Sequence, residues 1–205
     1  MGEIVRLRFS TVEEYVNSLN RIFGGLSESQ DEITGAYNRV TELWSDKVSS
    51  LTGQGLQSVG KTLADLHGEM SATVERLNRR CEGLSHGYAE REWNAVFITR
   101  EFQTALRKDT EIDMDTINGT TVEGIKSFER AFAEYIENTK KNVMAIRNAH
   151  ERVHDGWRDE QYDRTTVLIE EFLSSMGRQL NTLEVLQGWI ETRRKEFEKA
   201  LEESV

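Results

Sequence analysis

An all-α fold is what this sequence predicts: two long antiparallel helical hairpins in tandem, packed as an elongated four-helix bundle. Three observations carry that expectation. The 205 residues contain no proline, where a chain with many turns would use several. Apolar residues recur at alternating steps of three and four, the return period of one helical face. The plan of the first half comes back in the second, about 110 positions later.

The elements follow in order. A short arm, Glu3-Ile4-Val5, precedes Ser10-Thr11-Val12-Glu13, which fits a capping box. The first apolar run is Val12, Tyr15, Leu19, Phe23, Leu26, Ile33, Tyr37 and Val40, and it ends at Trp44. A second run, from Val48 and Leu51 through Val59, Leu63, Leu66, Met70, Leu77 and Leu84, ends at Tyr88. Trp93–Leu106 is apolar enough to continue that helix or to fold back on it. A second arm, Glu111-Ile112-Asp113, and a second box, Thr120-Thr121-Val122-Glu123, open the other half. Its third run reaches from Val122, Ile125, Phe128 and Phe132 to Val153 and Trp157; its fourth reaches from Leu168, Phe172 and Met176 to Phe197 and Leu201. The domain reading is therefore a hairpin over 1–107, a linker over 108–120 and a hairpin over 121–205. Helices of about 35 residues would be roughly 50 Å long. Each stripe is read as core, because a hairpin standing by itself would leave it in water.

Composition excludes several function classes. The net charge is −10, with 26 basic and 36 acidic residues and an acidic excess in both halves. Arg79-Arg80 and Arg193-Arg194-Lys195 are short clusters flanked by glutamates, so no nucleic-acid groove is expected. Cys81 is the one cysteine, which rules out an internal disulfide. No stretch is apolar enough to span a bilayer, and the opening MGEIVRLRF lacks the apolar core of a cleaved leader.

Trp44-Ser45-Asp46 and Trp157-Arg158-Asp159 each sit between two apolar runs, 113 positions apart. A ring there can pack across both helices at a bend, and the aspartate can cap the second helix. A plug and a cap are one reading of these turns; a recognition surface is the other. With these turns in both halves, the chain resembles the WXG family of helical hairpins handled by type VII secretion systems. The resemblance covers nearly the whole chain, once per half. It implies pairing of hairpins into antiparallel bundles, with no enzymatic activity and no cofactor. It also implies an export signal of the form Tyr-x-x-x-Asp/Glu, which Tyr88-Ala89-Glu90-Arg91-Glu92 matches. In an antiparallel bundle Tyr88 and Glu92 are expected near the Trp157 turn. Both turns depart from the family in reading Trp-x-Asp rather than Trp-x-Gly, and both hairpins are fused in one chain.

Two further motifs have catalytic spelling. His150-Glu151-Arg152-Val153-His154 is H-E-x-x-H, which on a helix can present two imidazoles to zinc beside a glutamate base. Glu170 or Glu171 is a third ligand by spacing, but Val153 belongs to the core stripe and no sheet is readable to build a cleft. Gly55-Leu56-Gln57-Ser58-Val59-Gly60-Lys61-Thr62 is the phosphate-loop pattern G-x-x-x-x-G-K-T. That chemistry needs a buried strand before the loop, whereas the helical stripe runs straight through the motif. Gly53, Gly55 and Gly60 are read instead as a close helix crossing, as Gly24-Gly25 could be in the first helix.

The expected function is a non-enzymatic interaction protein: a type VII substrate, or a partner or adaptor of a larger effector. Trp44, Asp46, Tyr88, Glu92, Trp157 and Asp159 are the candidate recognition residues. Expected partners are proteins, a type VII secretion ATPase or a larger effector, or a second copy of the chain. The expected location is the bacterial cytoplasm, or outside the cell by a route without a cleaved signal peptide. A cytosolic helical scaffold or assembly subunit is the alternative reading, and an enzyme using one of the two motifs is the third.

Overall fold

The computed structural model describes residues 6–88, 96–102 and 119–203, with only the backbone of residues 6 and 83–88. The elements in order are β1 (Arg6–Leu7), α1 (Phe9–Val40), α2 (Lys47–Tyr88), α3 (Gly119–Val153), β2 (Trp157–Arg158) and α4 (Glu160–Glu203). The helices run for 32, 42, 35 and 44 residues. Trp44 lies between α1 and α2 and Trp157 between α3 and α4, so both tryptophans fall at bends as expected. The arms at 3–5 and 111–113, and the linker up to residue 118, lie outside the described residues.

The hairpins are antiparallel to each other. Along the α1–α3 seam Tyr15 meets His150, Gln30 meets Tyr135 and Tyr37 meets Phe128, one chain rising as the other descends. Along α2–α4, Gly55 lies against Leu183 and Leu186, and the Gln179 side-chain amide donates to the Thr62 hydroxyl at 2.7 Å. One buried cluster draws on all four helices, from Val12 and Leu19 in α1 to Ile190 and Phe197 in α4. The four expected stripes supply most of it. Leu56, Tyr135, Ile169 and Leu186 join them, widening each stripe into the broader face that a globular bundle buries.

The four helices do not pack evenly. α1 packs chiefly on α3 and α2 on α4, α4 packs as closely on α3 as on α2, and of these pairs α1 and α2 touch least. Near the Trp44 turn α1 and α2 are tied directly: the Tyr37 hydroxyl donates to the Ser49 carbonyl at 3.0 Å, and the Gln30 amide to the Leu56 carbonyl at 3.4 Å. Further from the turn, residues 96–102 lie across both helices as a non-helical strap. Asn20 of α1 and His67 of α2 bond its main chain, and Phe97 packs on Val16 and Val74. Of the two expectations for Trp93–Leu106, folding back is the one realised in its described part, residues 96–102.

Ser10 is not the N-cap of the first helix. α1 begins at Phe9, with Arg8 as an extended N-cap that makes no side-chain cap bond. The cause is tertiary. β1 pairs antiparallel with β2, Arg6 opposite Arg158 and Leu7 opposite Trp157, and the Arg8 N–H continues to the Gly156 carbonyl at 2.6 Å. The Arg8 carbonyl then accepts from the Thr11 and Val12 N–H groups, so the chain passes from strand into helix before Ser10 is reached. α3 begins at Gly119, inside the expected linker, so Thr120 falls within the helix rather than at its cap.

Candidate functional site: two matched turns

Each turn is built around its aspartate. At the first, Asp46 Oδ1 accepts from the Val48 and Ser49 N–H groups at 2.7 and 3.0 Å, while the Asp46 N–H donates to the Ser49 hydroxyl at 3.3 Å. This reciprocal pair satisfies the exposed donors at the start of α2. The other oxygen, Oδ2, accepts from Arg193 Nε of α4 at 2.7 Å. At the second turn, Asp159 Oδ1 accepts from the Tyr162 N–H and from the Trp157 indole, both at 3.0 Å. Its Oδ2 pairs with Arg80 of α2 at 2.5 Å.

So in each turn one carboxylate oxygen caps its own hairpin, and the other takes an arginine from the opposite hairpin. The arginines stand 113 positions apart, as the tryptophans and the aspartates do. The fused chain is thus pseudo-two-fold at both ends. Asp46 and Asp159 are largely shielded, their side chains 11% and 4% exposed. The Asp46 carboxyl is held below the usual carboxylate range. Burial would raise it, but the Trp44 indole, the Ser49 backbone N–H and the Arg193 guanidinium outweigh burial.

Both indoles are buried, Trp157 completely. They act within the bundle as plugs, with Trp157 lying against Tyr15 and edge-on to Tyr162. Anything approaching the second turn from solvent meets His154, Asp155 and Arg158 instead, an exposed trio linked through the Arg158 guanidinium. The Tyr88 side chain and Glu92 lie outside the described residues. The α2 backbone passes the second turn at Arg80 and continues eight residues to Tyr88, about 12 Å further along the axis.

The H-E-x-x-H residues do not form a metal centre. His150 is buried. The Thr166 hydroxyl donates to the Tyr162 carbonyl at 3.0 Å, so its oxygen accepts from His150 Nε2 at 2.8 Å. His150 Nδ1 then accepts from the Tyr15 hydroxyl at 3.3 Å. Both ring nitrogens are occupied, and the ring stacks on Tyr162 at 4.6 Å. Burial lowers the His150 pKa to about 4, with His154 adding to the shift and Glu151 opposing it. Glu151 is exposed and paired with Arg147, and no group of three potential ligands occurs among the described residues.

The G-x-x-x-x-G-K-T residues lie inside α2, with no strand or loop before them, so they build no phosphate cradle. Gly53 and Gly55 are crossing points: a Cβ on Gly53 would lie on the Tyr37 hydroxyl, and one on Gly55 would lie 2.8 Å from Leu183. Cys81 is buried, and burial pushes its thiol up to about 12, so it is unreactive packing.

Arg80 and Arg193 were missed as site residues. The signal was present in their common spacing with the tryptophans, but arginine clusters flanked by glutamate read locally as solvated charge. No helix among the described residues is long and apolar enough to cross a membrane. Compared with protein-family models, curated proteins and solved structures, the chain matches none.

Proposed function

We propose that this chain is a non-enzymatic interaction protein of WXG-like kind, acting in a type VII-like system as an exported substrate or as partner or adaptor of a larger effector. The observation that carries this reading is the matched pair of Trp-x-Asp turns, each locked by an arginine of the opposite hairpin. One chain thereby builds what two separate hairpins would form by pairing. Because the indoles are buried, the contact surface at the second turn is its rim, His154, Asp155 and Arg158, to which the reading adds Tyr88, where α2 ends, and Glu92, four positions on in the sequence.

Export assays in a host with such a system test this. Tyr88→Ala, Glu92→Ala and the triple rim variant His154→Ala/Asp155→Ala/Arg158→Ala are expected to abolish export while leaving the thermal midpoint within about 2 °C. Export that survives all three, or that never occurs, would leave the cytosolic scaffold reading. That reading has one observation in its favour: Val185 and Trp189 stand one turn apart on α4, both about half exposed, as an apolar strip open to a partner.

A further inference from the structure

Residues 96–102 are seated between α1 and α2 as a bound peptide would be. Among the described residues, Asn20, His67 and Ser27 all hold the strap by its main chain. The Asn20 amide reads two residues at once, donating to the Val96 carbonyl at 2.7 Å and accepting from the Ile98 N–H at 2.8 Å. His67 bonds the Ile98 carbonyl at 3.1 Å, and the Ser27 hydroxyl bonds the Glu101 carbonyl at 3.3 Å. Two side chains anchor it: Phe97 packs edge-on against Phe23 at 5.9 Å and also on Val16 and Val74, and Phe102 packs edge-on against Phe23 at 6.4 Å. The remaining large apolar side chains, Val96 and Ile98, point to solvent.

The strap also fits imperfectly. Arg100 lies over Gly24, its Nε buried and without a hydrogen-bond partner among the described residues. A buried guanidinium N–H without an acceptor is a cost that a different occupant would avoid.

We propose that the α1/α2 groove is a peptide-binding site whose built-in occupant is the strap. Its external ligand is an extended segment of a partner protein, with two aromatic side chains five residues apart and a neutral residue where the strap has Arg100. Main-chain bonds supply a hold indifferent to sequence, and the two aromatic pockets supply selection. The inference is independent of the export reading.

The test uses the full chain and synthetic peptides spanning residues 95–103. In the Phe97→Ser/Phe102→Ser protein the strap loses its anchors while the groove keeps Asn20, Phe23 and His67. A labelled strap peptide should bind this variant at least tenfold tighter than it binds wild type. The peptide with Arg100→Gln should bind tighter still. Peptides with both phenylalanines changed to alanine, or an added Asn20→Ala change in the protein, should lose at least tenfold. A folded variant that binds no peptide, or binds the alanine peptide equally well, would overturn the proposal. So would wild-type dimers formed by exchange of straps, which would make the ligand a second copy. If the double variant does not fold, the wild-type Ile98 amide decides. Exchange through a local opening, at least 100-fold faster than the α1 core amides, supports a displaceable strap, and exchange by global unfolding alone overturns it.

Discussion

At the scale of single residues, the most consequential contacts are those that cross between hairpins. Removing Arg80 strands a carboxylate that is almost fully shielded and that keeps, among the described residues, the Trp157 indole and the Tyr162 N–H as donors. We expect Arg80→Gln to cost about 1–3 kcal/mol and Arg193→Gln somewhat less, since Asp46 keeps its cap bonds and more solvent; urea midpoints would check both. His150 gives a separate pH signature. An unfolded histidine takes up its proton near pH 6.5, while the folded ring resists until about 4. Between those values the unfolded chain binds more protons, so stability falls as pH drops through that window, by roughly 2–3 kcal/mol. His67, also lowered by burial, acts in the same direction. Asp46, whose carboxyl is depressed, contributes stability above its unfolded pKa and loses it as pH falls through the lower folded value, so its effect lies at the acid end. Denaturation series from pH 7 to 4 should show the His150→Gln protein with most of the slope between 6.5 and 4 removed.

At the scale of elements, glycines in the helices sort by what faces them. Gly55 leaves room for Leu183 and Leu186, so Gly55→Ala should push these buried leucine side chains out of their packing and lower stability by about 1–3 kcal/mol despite the better helix former. Gly177 faces open space on α4, so Gly177→Ala should raise stability by up to about 1 kcal/mol. Thermal melts of the two variants should therefore shift in opposite directions. The helices themselves were legible because periodicity is a local property: residues from Val12 to Phe197 at three-and-four spacing announce their buried face wherever the partner lies. The start of α1 was not legible, since it depends on β1 pairing with residues about 150 positions away. The strap was only half legible. The apolar character of Trp93–Leu106 left continuing the helix and folding back equally open, and nothing in it showed that Asn20, Ser27 and His67 would hold residues 96–102.

At the scale of the molecule, the two halves share one core and a pseudo-two-fold that survives at the turns but fails at the helix starts and within the hairpins, where α3 and α4 pack closely and α1 and α2 do not. Trp44/Trp157, Asp46/Asp159 and Arg193/Arg80 obey it; α1 begins from a strand, whereas α3 is already helical at Gly119. The places of the tryptophans and aspartates at bends were readable because Trp-x-Asp occurs once in each half, between two apolar runs. The arginines share the same 113-residue offset, but each sits in a short charged cluster that reads locally as solvated surface. The buried state of the indoles was equally unreadable, since the same ring can plug a bend or face a partner. The antiparallel closure of the hairpins is the claim on which the latches, the shared core and the proposed contact surface rest. Distances between spin labels measure it directly, in a Cys81→Ala background with cysteines placed at Ser45 and Asp155 in one protein and at Ser45 and Glu123 in another. Closure as described puts the two turns at opposite ends, about 45–50 Å apart for helices of this length, and brings Ser45 to within about 20 Å of Glu123. A short turn-to-turn distance with a long Ser45–Glu123 distance would contradict it.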